Sequence, residues 1–246
     1  MIDRMILKRV DLLPHASFQQ VERDIGLEGE KLIAYASGIV ERIRQIGDPD
    51  YCPRIHLDVY GTIGELFGGD IDAIAVYLGE LEAAVRPHDL LLESFVIAKS
   101  REAQIDAFRA LRSALARNGC RAKIIVDEWC NTLDDIKAFA DAEAADYAQI
   151  KTPDLGGINN VIEAVLYARE KGMGCCLGGS GNETDQSARI TAQIGLACRP
   201  DFLLSKPGFG GDEALMIQTN EMLRTLALIE TFRGIIGPSA PGSSTP

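Results

Sequence analysis

RIHLD at residues 54–58 is an apolar run that closes on a charged residue, and three later runs repeat this form. They are DLLLE (89–93), KIIVD (123–127) and YAQIK (147–151). The closing residues are Asp58, Glu93, Asp127 and Lys151, which follow one another at intervals of about 24 to 35 residues. Such an interval holds one strand, one helix and two loops, and in a parallel sheet it returns the chain to the same rim. The spacing therefore predicts three carboxylates and one ammonium at the mouth of a single barrel.

The rest of the chain alternates in the same way. Strands are predicted at 10–15, 55–58, 90–93, 123–127, 148–151, 174–177 and 202–205. Amphipathic helices are predicted between them at 31–46, 71–85, 102–117, 133–144, 158–170 and 185–197. This order predicts an α/β fold, a TIM-type (β/α) barrel with right-handed crossovers. We expect one barrel domain over residues 1–233, closed by a helix at 212–233, and a flexible tail at 234–246.

The predicted strands number seven, one fewer than a closed eight-stranded barrel needs. Either one strand has escaped recognition or the chain begins after the first strand, and we favour the second explanation. It would leave two unpaired sheet edges, which a partner or another strand would have to cover.

The composition of the chain argues against several classes of binding partner. The net charge of −11 repels nucleic-acid phosphates, and the basic residues are scattered along the helices. No apolar stretch reaches membrane-spanning length, and the opening MIDRMILKRV lacks the features of a secretion signal. We therefore expect a cytoplasmic protein that binds neither nucleic acid nor membrane. The six cysteines form no CxxC pair and are expected to be buried thiols, which, with only three histidines, argues against zinc.

The three acids could each have an ordinary explanation. A carboxylate after a strand often caps the next helix or is simply solvated, and for any one of them this is as good an interpretation as a functional one. Three in succession, each after an apolar run, favour a shared role. Because the set contains only oxygen ligands, it predicts a hard cation, Mg²⁺.

Lys151 could merely end a strand and reach into water. It follows the apolar YAQI and precedes Thr152 and Pro153, which places it on the same rim as the acids. A nearby dication and partial burial would both lower its pKa, so it is predicted to act as a general base. Glu128, Trp129 and Asn131 are expected to frame the site, with the tryptophan as a wall that excludes water.

Five longer sequence segments resemble those of a known family. They are HLDVYGTIG (56–64), VDEWCNT (126–132), QIKTPDLGGINN (149–160), LGGSGNETDQSA (177–188) and KPGFGGDE (206–213). In these segments the chain, from about residue 5 to about residue 228, closely resembles methylaspartate ammonia-lyase, a member of the enolase superfamily. The resemblance implies the catalytic barrel domain of that family without its first strand and without the N-terminal capping domain.

The resemblance also implies roles for individual residues. Asp58, Glu93 and Asp127 match the Mg²⁺ ligands, and Lys151 matches the base that removes the C3 proton of 3-methylaspartate. Loss of ammonia through a metal-stabilised enolate would then give mesaconate, a step of amino-acid degradation. His15 matches a catalytic histidine on the opposite face of the substrate. The substrate-binding matches are Gln149, Ser180 and Gly181.

Two departures from the family bear on specificity. The family usually has Thr-Cys where this chain has Ser180-Gly181, and a substrate-binding glutamine falls before Met1. The loss of the cysteine side chain is expected to enlarge the pocket. Other enolase-superfamily reactions, such as dehydration or epimerisation, therefore stay open.

Two further expectations concern partners and completeness. Homodimers are common in the superfamily, so a homodimer is expected. The chain could also be a non-catalytic fragment, or one half of a split enzyme whose capping domain is a separate polypeptide.

Overall fold

The computed structural model describes residues 2–206 and 209–236, and for His15 and residues 234–236 it describes the backbone alone. Within these residues seven strands alternate with helices. The strands are β1 (Leu12–Ser17), β2 (Arg54–Asp58), β3 (Leu90–Glu93), β4 (Lys123–Val126), β5 (Tyr147–Lys151), β6 (Gly174–Gly178) and β7 (Phe202–Leu203). The helices are α1 (Ile2–Leu7), α2 (Glu30–Ile46), α3 (Thr62–Leu66), α4 (Ile71–Val85), α5 (Arg101–Arg117), α6 (Leu133–Asp141), α7 (Ile158–Glu170), α8 (Asp185–Cys198) and α9 (Gly211–Ile236), with a π-helical turn at Val21–Ile25.

The strands form one parallel sheet in chain order from β1 to β7. The sheet curls into a partial barrel with helices packed on its convex face, and among the described residues β1 and β7 are its two edges. This confirms the predicted TIM-type arrangement and the predicted number of strands. All strands point the same way, so their carboxyl ends lie on one rim.

Side chains alternate between two apolar clusters. The larger cluster lies between sheet and helices and takes the even-numbered residues Leu90, Leu92 and Ile124. The smaller one lies on the concave face and consists of Leu12, Leu91, Ile125, Cys176, Phe202 and Leu204. Because successive strand residues point to opposite faces, Glu93 and Asp127 share the concave face with Leu91 and Ile125. The strand period thus aims the acids into the barrel mouth.

Side-chain caps define where several helices begin. Asp70 accepts from the backbone N–H groups of the first turn of α4, and Ser100 does the same for α5. Thr132 and Thr184 form capping boxes at the starts of α6 and α8. Each cap satisfies donors that the helix cannot pair internally and stabilises it by about 1 kcal/mol. The loops that carry the rim residues therefore end at fixed points.

The first strand is displaced from its predicted position. β1 spans Leu12–Ser17, whereas the apolar pattern predicted 10–15, because Val10 still lies in the turn that follows α1: its N–H donates to the carbonyl of Met5. The pairing of β1 with β2 also shifts between Leu13 and Ala16. Pro14 lies inside that interval and has no N–H to give to the ladder, which accounts for the irregularity.

Some shorter elements went unpredicted. α3 and the π-helical turn are too short for a hydrophobic period to reveal them. α9 reaches Ile236, so it extends beyond the predicted end of the closing helix, and residues 237–246 of the predicted tail lie outside the described residues. All six cysteines are free; Cys130, Cys175, Cys176 and Cys198 are buried as predicted, but Cys52 is exposed. In the described part of the chain, every helix is too short or too polar to cross a bilayer.

Phe108 tests the packing between α5 and the sheet. Its ring is fully buried, 4.8 Å from the ring of Phe95 and 6.0 Å from that of Phe139, measured between centroids. We expect Phe108→Ala to lower the free energy of unfolding by about 3 to 5 kcal/mol, since it removes a large side chain and leaves a cavity. Val76→Ala, at a position 58% exposed on α4, is the control and should change it by less than about 0.5 kcal/mol. Urea unfolding measures both; equal losses in the two variants would contradict this packing.

Candidate active site

Four predicted side chains lie together at the carboxyl ends of β2 to β5. Asp58, Glu93 and Lys151 are the last residues of β2, β3 and β5, and Asp127 directly follows β4. Asp58 is the register partner of Glu93 across the sheet. The predicted convergence of three carboxylates and one ammonium at a single rim is what the fold produces.

Burial raises the pKa of two of the three carboxyl groups. It raises the pKa of Asp58 to about 7, with the neighbouring Glu93 charge adding to the effect. The pKa of Asp127 is likewise raised to about 7, first by burial and then by Glu93. Like charges held close in a medium of low polarity disfavour ionisation. A group of carboxylates in this state gains stability from any cation placed among them.

Lys151 supplies one such positive charge. Its ammonium donates to Oδ2 of Asp127 at 2.7 Å and lies 2.5 Å from Oδ1. Burial is the largest single influence and would lower the pKa of Lys151, but the charge and hydrogen bond of Asp127, together with the charge of Glu93, outweigh it and the pKa is raised. The predicted lowering assumed a dication beside the amine as well as burial, so it stays a prediction for the metal-bound site.

Glu93 is the centre of a buried polar network. One of its oxygens, Oε2, lies 2.7 Å from Nε2 of His56 and accepts the side-chain N–H of Gln149 at 2.6 Å. All three residues are buried. These contacts hold the Glu93 carboxylate in one orientation on the concave face, between Asp58 on one side and Asp127 on the other.

The acids have the donor chemistry for a hard cation, although their oxygens are not gathered around one point. In residues 2–206 and 209–236, no three carboxylates, imidazoles or thiols are close enough to form a metal-binding group. Asp127 faces Lys151, and Glu93 faces His56 and Gln149. Since all three acids offer only oxygen and two carry raised pKa values, their donor chemistry fits Mg²⁺.

Backbone strain marks the same rim. Tyr60 (φ 43°), Ser94 (φ 53°) and Trp129 (φ 60°) are non-glycine residues in the left-handed region. Each lies one or two positions after one of the three acids. Residues with side chains adopt this conformation at a cost of about 1 to 3 kcal/mol, and such positions cluster at functional sites. The tight turns begin immediately after the acids and lead the chain away from the mouth.

The residues after Asp127 form one side of the mouth. Ser94 donates its hydroxyl to the Glu128 carboxylate, and burial raises the pKa of Glu128. Trp129 donates its indole N–H to the carbonyl of Ala98 at 2.9 Å and is 42% exposed. Glu128 thus faces the acid group, and the indole lies anchored at the surface, where it could cover a bound molecule.

The loop after β6 holds the other predicted contacts. Gly178 is the register partner of Lys151, which places the start of this loop beside β5. A Cβ at Gly178 would come within 2.1 Å of Oε1 of Gln149, so only glycine leaves room for that amide. Ser180 accepts the N–H of Asn182 at 3.1 Å, and a Cβ at Gly181 would meet nothing within 4 Å.

The predicted roles of His15 and of the loop residues stay predictions. His15 lies on β1, but its side chain is outside the described part of the structure. The described contacts of Ser180 are within its own loop, so its predicted substrate contact stays a prediction, as does that of Gly181. Gln149 does join the acids, through Glu93.

Two buried contacts were not predicted from the sequence. His56 pairs with Glu93, and this pairing could have been inferred from the shared concave face of residues 56, 58 and 93. The buried pair formed by Glu183 and Lys206 was not anticipated, because their separation along the chain carries no periodic signal.

Comparison with known proteins places this geometry in a family. Residues 1–231 match the family model described as methylaspartate ammonia-lyase C-terminus. Methylaspartate ammonia-lyase 1 of Carboxydothermus hydrogenoformans is 52% identical over 239 residues, which are 96% of this chain and 57% of that protein. The chain therefore spans little more than half the length of the curated relatives it matches.

Solved structures agree. The Mg complex of beta-methylaspartase from Clostridium tetanomorphum superposes with a TM-score of 0.88 at 46% identity, over 94% of this chain and 56% of that one. The Citrobacter amalonaticus methylaspartate ammonia lyase containing (2S,3S)-3-methylaspartic acid gives 0.90 at 46% identity, over 93% and 56%. Muconate lactonizing enzyme from Pseudomonas putida, at 17% identity and a TM-score of 0.56, shares the fold alone.

The raised pKa values predict how stability depends on pH and Mg²⁺. An aspartate has a pKa near 4 in an unfolded chain, whereas that of Asp58 and of Asp127 is about 7 in the fold. Their contribution to stability is therefore complete below about pH 4 and is lost as the pH rises through about 7. Without a divalent cation, we expect the melting temperature to fall between pH 5 and pH 8.

Mg²⁺ should reverse this loss at the upper end of the range. At about 100 times its Kd, it should raise the melting temperature by roughly 5 to 10 °C at pH 8 and by much less at pH 5. Asp58→Asn should weaken the response, while Asp72→Asn, at an exposed side chain paired with Arg117, should keep it. A response equal at both pH values, or unchanged by Asp58→Asn, contradicts the assignment.

Proposed function

The chain belongs to the methylaspartate ammonia-lyase family, in the part that forms the C-terminal barrel, and on this premise we propose that it is the catalytic barrel of a carbon–nitrogen lyase. The proposed reaction eliminates ammonia from 3-methylaspartate and gives mesaconate. The single observation that carries the proposal is the group of Asp58, Glu93 and Asp127 at one rim with the Lys151 amine against Asp127.

Mg²⁺ is the proposed cofactor. Asp58, Glu93 and Asp127 would hold it, and the Clostridium tetanomorphum relative was solved as an Mg complex. A bound Mg²⁺ supplies Lewis-acid stabilisation of negative charge that develops on a substrate carboxylate. The support from this chain is its set of three oxygen donors, of which Asp58 and Glu93 are buried and Asp127 is partly buried, with the pKa of Asp58 and of Asp127 raised to about 7.

Lys151 is the proposed base. A C–H bond beside a carboxylate is weakly acidic, because its loss adds negative charge to a group that is already an anion. The amine must be neutral to accept that proton, and the Asp127 charge opposes this by favouring the ammonium. Any change that turns Asp127 away from Lys151 lowers the pKa of the amine and so favours the neutral form that can accept the proton. Lys151 then takes the proton from C3, the C2–N bond breaks, and ammonia leaves as the C2=C3 double bond forms.

Other residues would orient the substrate. His15 is proposed on the opposite face from Lys151, since β1 brings it to the same sheet, and there it would serve the other C3 epimer. Gln149 is proposed to share its amide between Glu93 and the substrate. Ser180 would donate a hydroxyl, and the open space at Gly181 would accept a substituent larger than the family's usual one.

The proposal extends to partners and location. A homodimer is proposed by analogy with the superfamily, and the substrate is a small amino acid. A cytoplasmic setting is supported by six free cysteines, since thiols persist where the environment is reducing.

A second candidate is one half of a split enzyme. The chain spans 57% of the length of its Carboxydothermus relative, and Trp129 at the mouth is 42% exposed. A separate capping polypeptide would cover this rim and exclude water from the reaction. In that case the chain would bind Mg²⁺ but would react only when the partner is present.

Activity of the purified chain distinguishes these candidates. With Mg²⁺ and 3-methylaspartate, we expect release of ammonia together with the unsaturated diacid. Lys151→Ala should lower kcat by about 10² to 10⁴-fold, the usual contribution of a general base. Lys171→Ala, at a half-exposed lysine paired with Asp141, is the matched control and should leave kcat unchanged.

A chain that is inert alone is then mixed with the remaining N-terminal part of the Carboxydothermus relative. Recovery of ammonia release supports the split enzyme, again with loss in Lys151→Ala. If Mg²⁺ binds, yet ammonia is released neither by the chain alone nor by the mixture, the proposed reaction is wrong for this chain.

A further inference from the structure

Lys206 is a second buried amine near the barrel mouth. Lys206 follows Phe202 and Leu204 at the same two-residue spacing, and these two residues belong to the cluster on the concave face. Its side chain is 0% exposed. Burial lowers the pKa of Lys206, and the facing Glu183 charge offsets this only in part. A lysine that is completely enclosed needs specific partners, because an isolated buried charge is strongly unfavourable.

Its partners lie on the segment that follows β6. The Lys206 amine donates to the carbonyl of Gly178, the last residue of β6, and lies 3.4 Å from Oε1 of Glu183. The other oxygen of Glu183 accepts the hydroxyl of Ser187, in the first turn of α8. One ammonium therefore connects the end of β7 to the end of β6 and, through Glu183, to the start of α8.

These contacts enclose residues 179–182, which we call the β6 loop. Lys206 holds the residue before the loop, Gly178, and the residue after it, Glu183. Inside the loop, Ser180 makes local contacts: it accepts the N–H of Asn182 with its hydroxyl and that of Glu183 with its carbonyl, at 3.1 and 3.4 Å. Without Lys206, the described contacts would fix the two ends of the loop less firmly.

We propose that Lys206 is a positioning residue that sets the place of the β6 loop at the barrel mouth. It acts through Ser180 and Gly181, since its own enclosed side chain reaches no bound molecule. This inference rests on the proposed function only for the claim that Ser180 and Gly181 face a substrate. The mechanical link between Lys206 and the loop stands on the described contacts alone.

Amide hydrogen exchange tests the mechanical link directly. Lys206→Met keeps an unbranched side chain only one heavy atom shorter and removes the charge and the hydrogen bonds. We expect the amides of residues 179–184 to exchange about tenfold faster, while those of β4 (Lys123–Val126) keep their rates. Lys171→Met, at an exposed paired lysine, is the control and should change neither. Unchanged exchange in the loop, or an equal increase in loop and β4, overturns the proposal.

Glu183→Gln is a milder second variant in case Lys206→Met does not fold. It keeps a hydrogen-bonding oxygen but loses the charge, so exchange in the loop should rise by about threefold. The double variant should exchange no faster than Lys206→Met, because both changes break one connection. If the double variant instead exchanges faster than Lys206→Met by the factor that Glu183→Gln produces alone, the two residues act independently and that connection is contradicted.

Kinetics separates a positioning role from general stability. In a preparation that releases ammonia, with or without the N-terminal part of a relative, Lys206→Met should raise KM for 3-methylaspartate by about tenfold and change kcat less. Mg²⁺ affinity should stay within about twofold of the original, since Lys206 contacts none of the three acids. Equal KM values overturn the substrate-facing part of the proposal. An inactive original protein counts against the lyase reaction, and the exchange result still decides the role of Lys206.

Discussion

Repulsion among three carboxylates, two of them buried and one partly buried, is the constraint on which this site depends. The sheet holds Asp58, Glu93 and Asp127 on one concave rim, where little water is available to weaken the interaction of their charges. The protein offsets part of this charge with the Lys151 ammonium and with hydrogen bonds from its own polar side chains. What remains is a strong preference for a cation, and that preference links the fold to its proposed chemistry.

The two apolar clusters divide the work of holding this arrangement. The larger cluster, between sheet and helices, buries most of the apolar surface and stabilises the fold. The smaller cluster lies on the concave face beneath the polar rim and fixes the direction of the strands there. At the rim, the strained backbone positions are Tyr60, Ser94 and Trp129, in the turns directly after the acids. Rigid strands thus carry the acids, and the turns that leave them absorb the unfavourable backbone geometry.

Much of this could be predicted from the sequence because the apolar runs recur at the interval of one strand, one helix and two loops. In a parallel sheet that interval returns the chain to the same edge, so Asp58, Glu93, Asp127 and Lys151 could be placed on one rim. The position of β1 was less predictable, since Pro14 interrupts its ladder. The direction of the Lys151 pKa could not be predicted, because it depends on an orientation of Asp127 that no spacing reveals. The pairing of Lys206 with Glu183 depends on how two loops meet, and loop geometry leaves no periodic trace.

A crystal structure of the chain with Mn²⁺, examined by anomalous scattering, tests the central claim most directly. The account predicts one strong anomalous peak within bonding distance of a carboxylate oxygen from each of Asp58, Glu93 and Asp127, with the Lys151 amine no longer paired with Asp127. A peak held by other residues, or carboxylates that keep their present partners in saturating Mn²⁺, would contradict it.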